Sequence, residues 1–70
     1  MFMTEIHFVV EEAPEGGYIA RAVGTDIVTE ADDIPALHTQ VRDAVHCHFD
    51  EGKTPSLIRL HYTREEVLAA

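Results

Sequence analysis

The stretch EEAPEGGYIARA, Glu11 to Ala22, decides how this chain folds. Its paired glycines read either as a phosphate-cradling loop or as a hairpin turn. A dinucleotide-type loop needs a strand, a G-x-G-x-x-G turn and then a helix whose N-terminus faces the anion. Here two adjacent glycines lead into YIARA, which is β-prone and has no helical spacing. The turn reading meets no such obstacle. Pro14 presets φ at the second position of a type I turn over Ala13-Pro14-Glu15-Gly16, and Gly16 accepts φ > 0. The stretch is therefore read as a hairpin able to carry a glycine bulge.

The flanks agree. Residues 5–11, EIHFVVE, place Ile6, Phe8 and Val10 on one face by period-2 alternation, with Glu5, His7, Val9 and Glu11 on the other. Residues 17–23, GYIARAV, alternate Tyr18, Ala20 and Ala22 with Ile19, Arg21 and Val23. After Gly24, residues 26–30, DIVTE, are expected to form a third strand. The period then changes. Ile34, Leu37, Val41, Ala44, Val45, His48 and Phe49 fall on one helical stripe. Asp33 is its expected N-cap, Pro35 suits the first turn, and Gly52 is expected as a left-handed C-terminal cap. Residues 57–62, LIRLHY, return to strand, and Thr63-Arg64-Glu65-Glu66 fits a capping box that would open a short helix through VLAA.

The expected fold is α+β, a two-layer β-β-β-α-β unit with one helix on a four-stranded sheet and a short C-terminal helix. A crossover through the helix places the last strand parallel to and beside the first. Ile6, Phe8, Val10, Tyr18, Ala20, Ile58 and Leu60 then form the core against the helix stripe. One helix cannot cover both faces of such a sheet. Val9, Ile19, Val23 and Leu57 are left on an open face among His7, Arg21, Arg59 and His61, a mixed patch suited to docking. The expected partner or oligomer interface is His7, Val9, Ile19, Arg21, Val23, Arg59 and His61.

Composition narrows the function. Seventy residues make a single domain, residues 1–70, with a thin core that gains from self-association. Cys47 is the sole cysteine, so no intrachain disulfide is available, and a reducing compartment is expected. The N-terminal MFMTEIHF lacks the basic and apolar regions of a signal peptide, and no apolar run is long enough to span a membrane. The expectation is a cytoplasmic protein with no membrane partner. Five basic residues against thirteen acids give a net charge of −8, which repels a phosphate backbone and argues against direct nucleic-acid binding. An acidic surface attracts basic proteins instead.

Few residues point to catalysis. On a helix His46 and His48 point about 200° apart, so they cannot chelate one ion, and the i, i+4 pair of zinc proteases is absent. His38 and His46 are two turns apart, too far to share a metal. His7 and His61 are the better pair if the first and last strands are neighbours, with Glu5 or Glu11 as a third ligand. Cys47 has no base in reach and is expected to be a small, partly buried side chain. Asp26, Glu30, Asp32 and Asp33 lie near a strand end and a helix cap, where capping accounts for them. No catalytic residue, resident metal or cofactor is expected.

Glu15-Gly16-Gly17-Tyr18-Ile19-Ala20, followed by a third strand, the Asp33-Ile34 helix start and a final strand, resembles the HicB antitoxin family. The resemblance covers residues 5–62 and implies a truncated ribonuclease H-like unit. It further implies a non-catalytic module that sequesters a small basic RNase toxin of HicA type. Where that family carries Pro-x-Leu-x-Gly, this chain reads Ala22-Val23-Gly24-Thr25-Asp26. The family's C-terminal DNA-binding segment has no counterpart in these residues, so operator binding is not carried over. From a different class, the alternative is a small metal-binding protein or enzyme using His7 and His61.

Overall fold

The computed structural model describes residues 4–64 and 66–70. Its elements run β1 (Glu5–Glu12), β2 (Tyr18–Ala22), β3 (Val28–Ala31), α1 (Ile34–His48) and β4 (Leu57–Tyr62). The four strands form one sheet in the order β3-β2-β1-β4. β1 runs antiparallel to β2 and parallel to β4, and β2 runs antiparallel to β3. This is the expected α+β arrangement, with the last strand beside the first.

The opening stretch is a hairpin. Gly16 N–H donates to the Ala13 carbonyl at 3.1 Å, closing the four-residue turn, and Ala13 N–H donates to the Gly17 carbonyl at 2.9 Å. Gly16 and Gly17 both lie at positive φ, 102° and 83°. Gly17 is the more constrained, because a Cβ there would stand 2.7 Å from the Ala31 carbonyl oxygen.

The helix starts as its sequence dictates. Asp33 is extended, and its side chain accepts from Ala36 N–H at 2.8 Å, while Pro35 occupies the first turn. Its end differs from expectation. Phe49, at φ −101° and ψ 144°, is the C-cap, so the chain leaves the helix extended rather than through a left-handed glycine. Gly52 takes its positive φ of 86° in the following turn, which Lys53 N–H closes onto the Asp50 carbonyl at 2.9 Å.

The buried core comprises Ile6, Phe8 and Val10 of β1, Ala20 of β2, Ile27, and Leu37, Val41 and Val45 of α1. Each large side chain so buried contributes about 1.5–3 kcal/mol of transfer free energy. Ile27 precedes β3, which begins two residues later than the expected start at Asp26. Its carbonyl accepts from Ala22 N–H at 2.9 Å, which turns its side chain inward from the loop. Tyr18, Ile58 and Leu60 pack against the core but are only half-buried. The helix packs on the β2–β3 side, leaving a groove beside β4 lined by Val41, Val45, Pro55, Ile58 and Leu60. His48, expected on the buried stripe, is exposed at the last helical position, and Cys47, expected partly buried, is exposed too.

The expected tail helix is absent among the described residues, since residues 63, 64 and 66–70 carry no helical structure. Glu65, part of the capping box, lies outside them. Thr63 is engaged elsewhere: its N–H and its hydroxyl both donate to the Val10 carbonyl, at 2.9 and 3.1 Å. That prolongs the β1–β4 ladder and removes the hydroxyl from capping, and so short a helix would not offset its nucleation cost.

Gly17→Ala is expected to lower the unfolding free energy by about 2–3 kcal/mol, through the clash with Ala31 added to the left-handed backbone. Gly16→Ala, where a Cβ meets nothing within 4 Å, should cost only about 1 kcal/mol. Urea unfolding of the two variants beside the parent measures the difference.

Candidate functional site

Alternation and register together build the open face. Ile6, Phe8 and Val10 point into the core, so Glu5, His7, Val9 and Glu11 emerge on the opposite side. The pairing then places cross-strand neighbours in rows. Val28, Arg21, Val9 and His61 lie abreast across all four strands. Beside them run Glu30, Ile19 and Glu11. On the other side His7 stands next to Arg59, and its carbonyl accepts from Val23 N–H at 2.9 Å. Glu5 and Leu57 form the last row.

All seven expected interface residues, His7, Val9, Ile19, Arg21, Val23, Arg59 and His61, therefore share this face. Val23, Val28 and Leu57 are more than half exposed, at 59%, 60% and 54%. Val28 and Glu30 were not identified in the sequence, because a four-residue strand whose start is shifted gives no clear alternation. Their placement follows only from their pairing with Arg21 and Ile19.

Four side chains on this face form a connected network. Arg59 Nε donates to Glu5 Oε2 at 2.9 Å. Glu5 Oε1 lies 3.1 Å from His7 Nε2. His7 Nδ1 lies 2.8 Å from His61 Nε2, the two rings being nearly parallel at 19° with centroids 5.1 Å apart. The tautomers follow from donor chemistry. A carboxylate only accepts, so His7 carries its proton on Nε2 and, when neutral, presents a bare Nδ1. The proton between the rings then belongs to His61 Nε2. The Arg59 hydrogen bond, aided by that of His7, holds the Glu5 carboxyl below the usual carboxylate range.

The pair expected to approach if β1 and β4 were neighbours thus does so. Neither expected third ligand joins it: Glu5 bonds the far nitrogen of His7, and Glu11 stands in the next row, opposite Ile19. Among the described residues no group of three or more His, Cys, Asp or Glu side chains is placed to hold a metal ion. That holds equally for Asp26, Glu30, Asp32 and Asp33, where Asp33 is engaged as the helix cap. His38 Nε2 meets the Tyr62 hydroxyl at 3.5 Å and takes no part in the His7–His61 pair. No helix among the described residues is long and apolar enough to cross a membrane.

Fold and face together define a small α+β domain whose sheet is covered by a helix on one side and open on the other. The chain belongs to the UPF0150 family. It is 50% identical over 50 residues to a UPF0150 protein of Archaeoglobus fulgidus, covering 71% of this chain and 74% of the relative. It is 35% identical over 65 residues to a UPF0150 protein of Thermotoga maritima, covering 93% of this chain and 91% of the relative. No family model matches the chain, and no solved structure does.

The Glu5 network carries a pH signature. A carboxyl whose folded pKa is depressed contributes stability that is fully present above its unfolded pKa and is lost as pH falls through the folded one. Glu5→Gln should therefore be less stable than the parent at neutral pH, and the gap should close as the solution is acidified through the carboxylate range. Urea midpoints of both proteins across that range measure it.

Proposed function

We propose that the chain is a non-catalytic protein-interaction module of HicB antitoxin-like type, acting in the cytoplasm as a homo-oligomer. The open sheet face joins a second copy. The acidic remainder of the surface holds a small basic protein, in the most specific form an RNase toxin.

The observation that carries this reading is the distribution of charge. Of five basic and thirteen acidic residues, Arg21 and Arg59 with Glu5, Glu11 and Glu30 lie on the open face, which thus bears −1 on a chain of −8. Both signs are interspersed there, so two copies meeting on it can bring opposite charges together. Among the described residues Arg21, Glu11 and Glu30 make no salt bridge within the chain, so each is available to pair across two facing copies. Val9, Ile19, Val23, Val28 and Leu57 supply the apolar part of the patch, which adds to a core of eight buried residues. The strongly acidic remainder favours a cationic partner over nucleic acid or a membrane. The Glu15-Gly16-Gly17-Tyr18-Ile19-Ala20 hairpin and the β-β-β-α-β order support the HicB-like assignment.

Ile19→Asp sets an unpaired carboxylate in the proposed interface. At about 3 kcal/mol this weakens association roughly 100-fold. Native mass spectrometry should show an oligomeric parent and a monomeric variant, with the helical circular dichroism unchanged. Unaltered assembly would place the interface elsewhere. Capture from the source cell should bring down a stoichiometric, small, basic protein with RNase activity, and recovery of the homo-oligomer alone would remove the toxin-binding part of the reading.

A further inference from the structure

We propose that the outer edge of β4 and the groove beside it bind an extended peptide segment of a partner protein, which adds to the sheet as a further strand. The segment carries apolar side chains and a carboxylate at alternate positions. The site lies at the sheet edge, so the inference does not rest on the open-face reading.

Two separate observations carry it. The first is an unpaired backbone. β4 is the last strand of the sheet, with β1 on one side and no strand on the other. Leu57 N–H donates to the Thr4 carbonyl at 3.3 Å and Thr63 N–H to the Val10 carbonyl at 2.9 Å, so the odd-numbered residues turn their backbone groups toward β1. Alternation then turns the N–H and C=O of Ile58, Leu60 and Tyr62 outward. Among the described residues no turn or loop hydrogen bond reaches these groups. Soluble proteins blunt such edges with short strands, prolines or bulges. β3, at the opposite edge, is only four residues long. β4 has six residues, no proline and an unbroken register with β1, so it is the edge left open to pairing.

The second observation is the groove. The side chains of Ile58 and Leu60 turn to the helix side of the sheet, stay half-buried, and line it with Val41, Val45 and Pro55. Arg42 stands in the same lining, exposed and with no salt bridge among the described residues. No acidic residue lines the groove, on a chain with thirteen acids against five bases. A strand added to β4 sends every second side chain to this side. Apolar side chains there complete the cover over Ile58 and Leu60, and a carboxylate among them meets Arg42. Main-chain hydrogen bonds to Ile58, Leu60 and Tyr62 supply affinity, and the groove supplies specificity. A second copy is the poorer occupant, because its own β4, LIRLHY, brings no acid to Arg42.

The probe is the peptide acetyl-Thr-Val-Thr-Glu-Thr-Val-Thr-amide, added to the full chain and followed by calorimetry and amide hydrogen exchange. Binding should saturate below about 1 mM. It should slow exchange at Ile58 and Leu60 at least about tenfold and leave the β3 amides unchanged. Lys in place of the peptide's Glu should weaken binding about 10–100-fold, and so should Arg42→Glu with the original peptide. The Lys peptide should regain affinity on the Arg42→Glu chain, which separates a lost ion pair from a damaged fold. N-methylation of one alternate set of peptide amides should abolish binding, and that of the other set should be tolerated. No saturation by about 1 mM, indifference to both charge reversals, indifference to N-methylation of either set, or protection at β3 instead of β4 would overturn the proposal. Protection of Ile58 and Leu60 that grows with protein concentration in the absence of peptide would give the edge to a second copy and overturn it as well.

Discussion

β1 is hydrogen-bonded along both edges, and the rest of the molecule is arranged by that double pairing. Its antiparallel partner follows through the short Ala13–Gly17 loop, as a hairpin allows. Its parallel partner cannot follow directly. A parallel neighbour requires a crossover of a dozen or more residues, and α1 lies within that connection. Ile6, Phe8 and Val10 give the helix its floor, so the strand that fixes topology also supplies three of the eight core residues. The joint is prolonged past β4 by Thr63, both of whose donors go to Val10.

The same strand sets the open face. Period-2 alternation sends Glu5, His7 and Val9 outward because their neighbours are buried, and parallel pairing with β4 brings Arg59 and His61 alongside. Residues 54 apart in sequence, Glu5 with Arg59 and His7 with His61, thereby reach hydrogen-bonding distance across one strand gap. The chain Arg59–Glu5–His7–His61 has a direction. The guanidinium fixes the carboxylate, the carboxylate fixes the His7 tautomer, and His7 turns a bare nitrogen toward His61. Glu5 thereby connects the histidine pair to an arginine that touches neither imidazole through any hydrogen bond in the network.

Much of this was legible in the sequence, for reasons particular to its elements. The alternation in EIHFVVE gave the two faces of β1, Pro14 and Gly16 gave the hairpin, and Asp33 followed by Leu37, Val41 and Val45 gave the helix and its start. What failed depended on tertiary partners. Gly52 has the conformation expected of a cap but uses it in the next turn. Thr63 has a capping sequence, yet a strand carbonyl takes its hydroxyl. Ile27 is core although it stands outside β3, because an Ala22 hydrogen bond turns the loop inward. At the open face, alternation named the seven residues but not their connections. Whether Glu5 meets the far or the near nitrogen of His7 is a matter of register and rotamer, which no local pattern encodes.

The balance between a small core and an uncovered sheet face links fold to function. One helix of 15 residues covers the inner side of the sheet, and the β4 side of that cover is incomplete, leaving Ile58 and Leu60 half-buried. The open face carries both signs, Arg21 and Arg59 among Glu5, Glu11 and Glu30, and three of its aliphatic side chains are more than half exposed. Under the docking reading, this interspersed charge selects the orientation in which opposite charges of two copies face one another. The contacts among Val9, Ile19, Val28 and Arg21 then need to supply only the affinity, which is within the means of a small mixed patch.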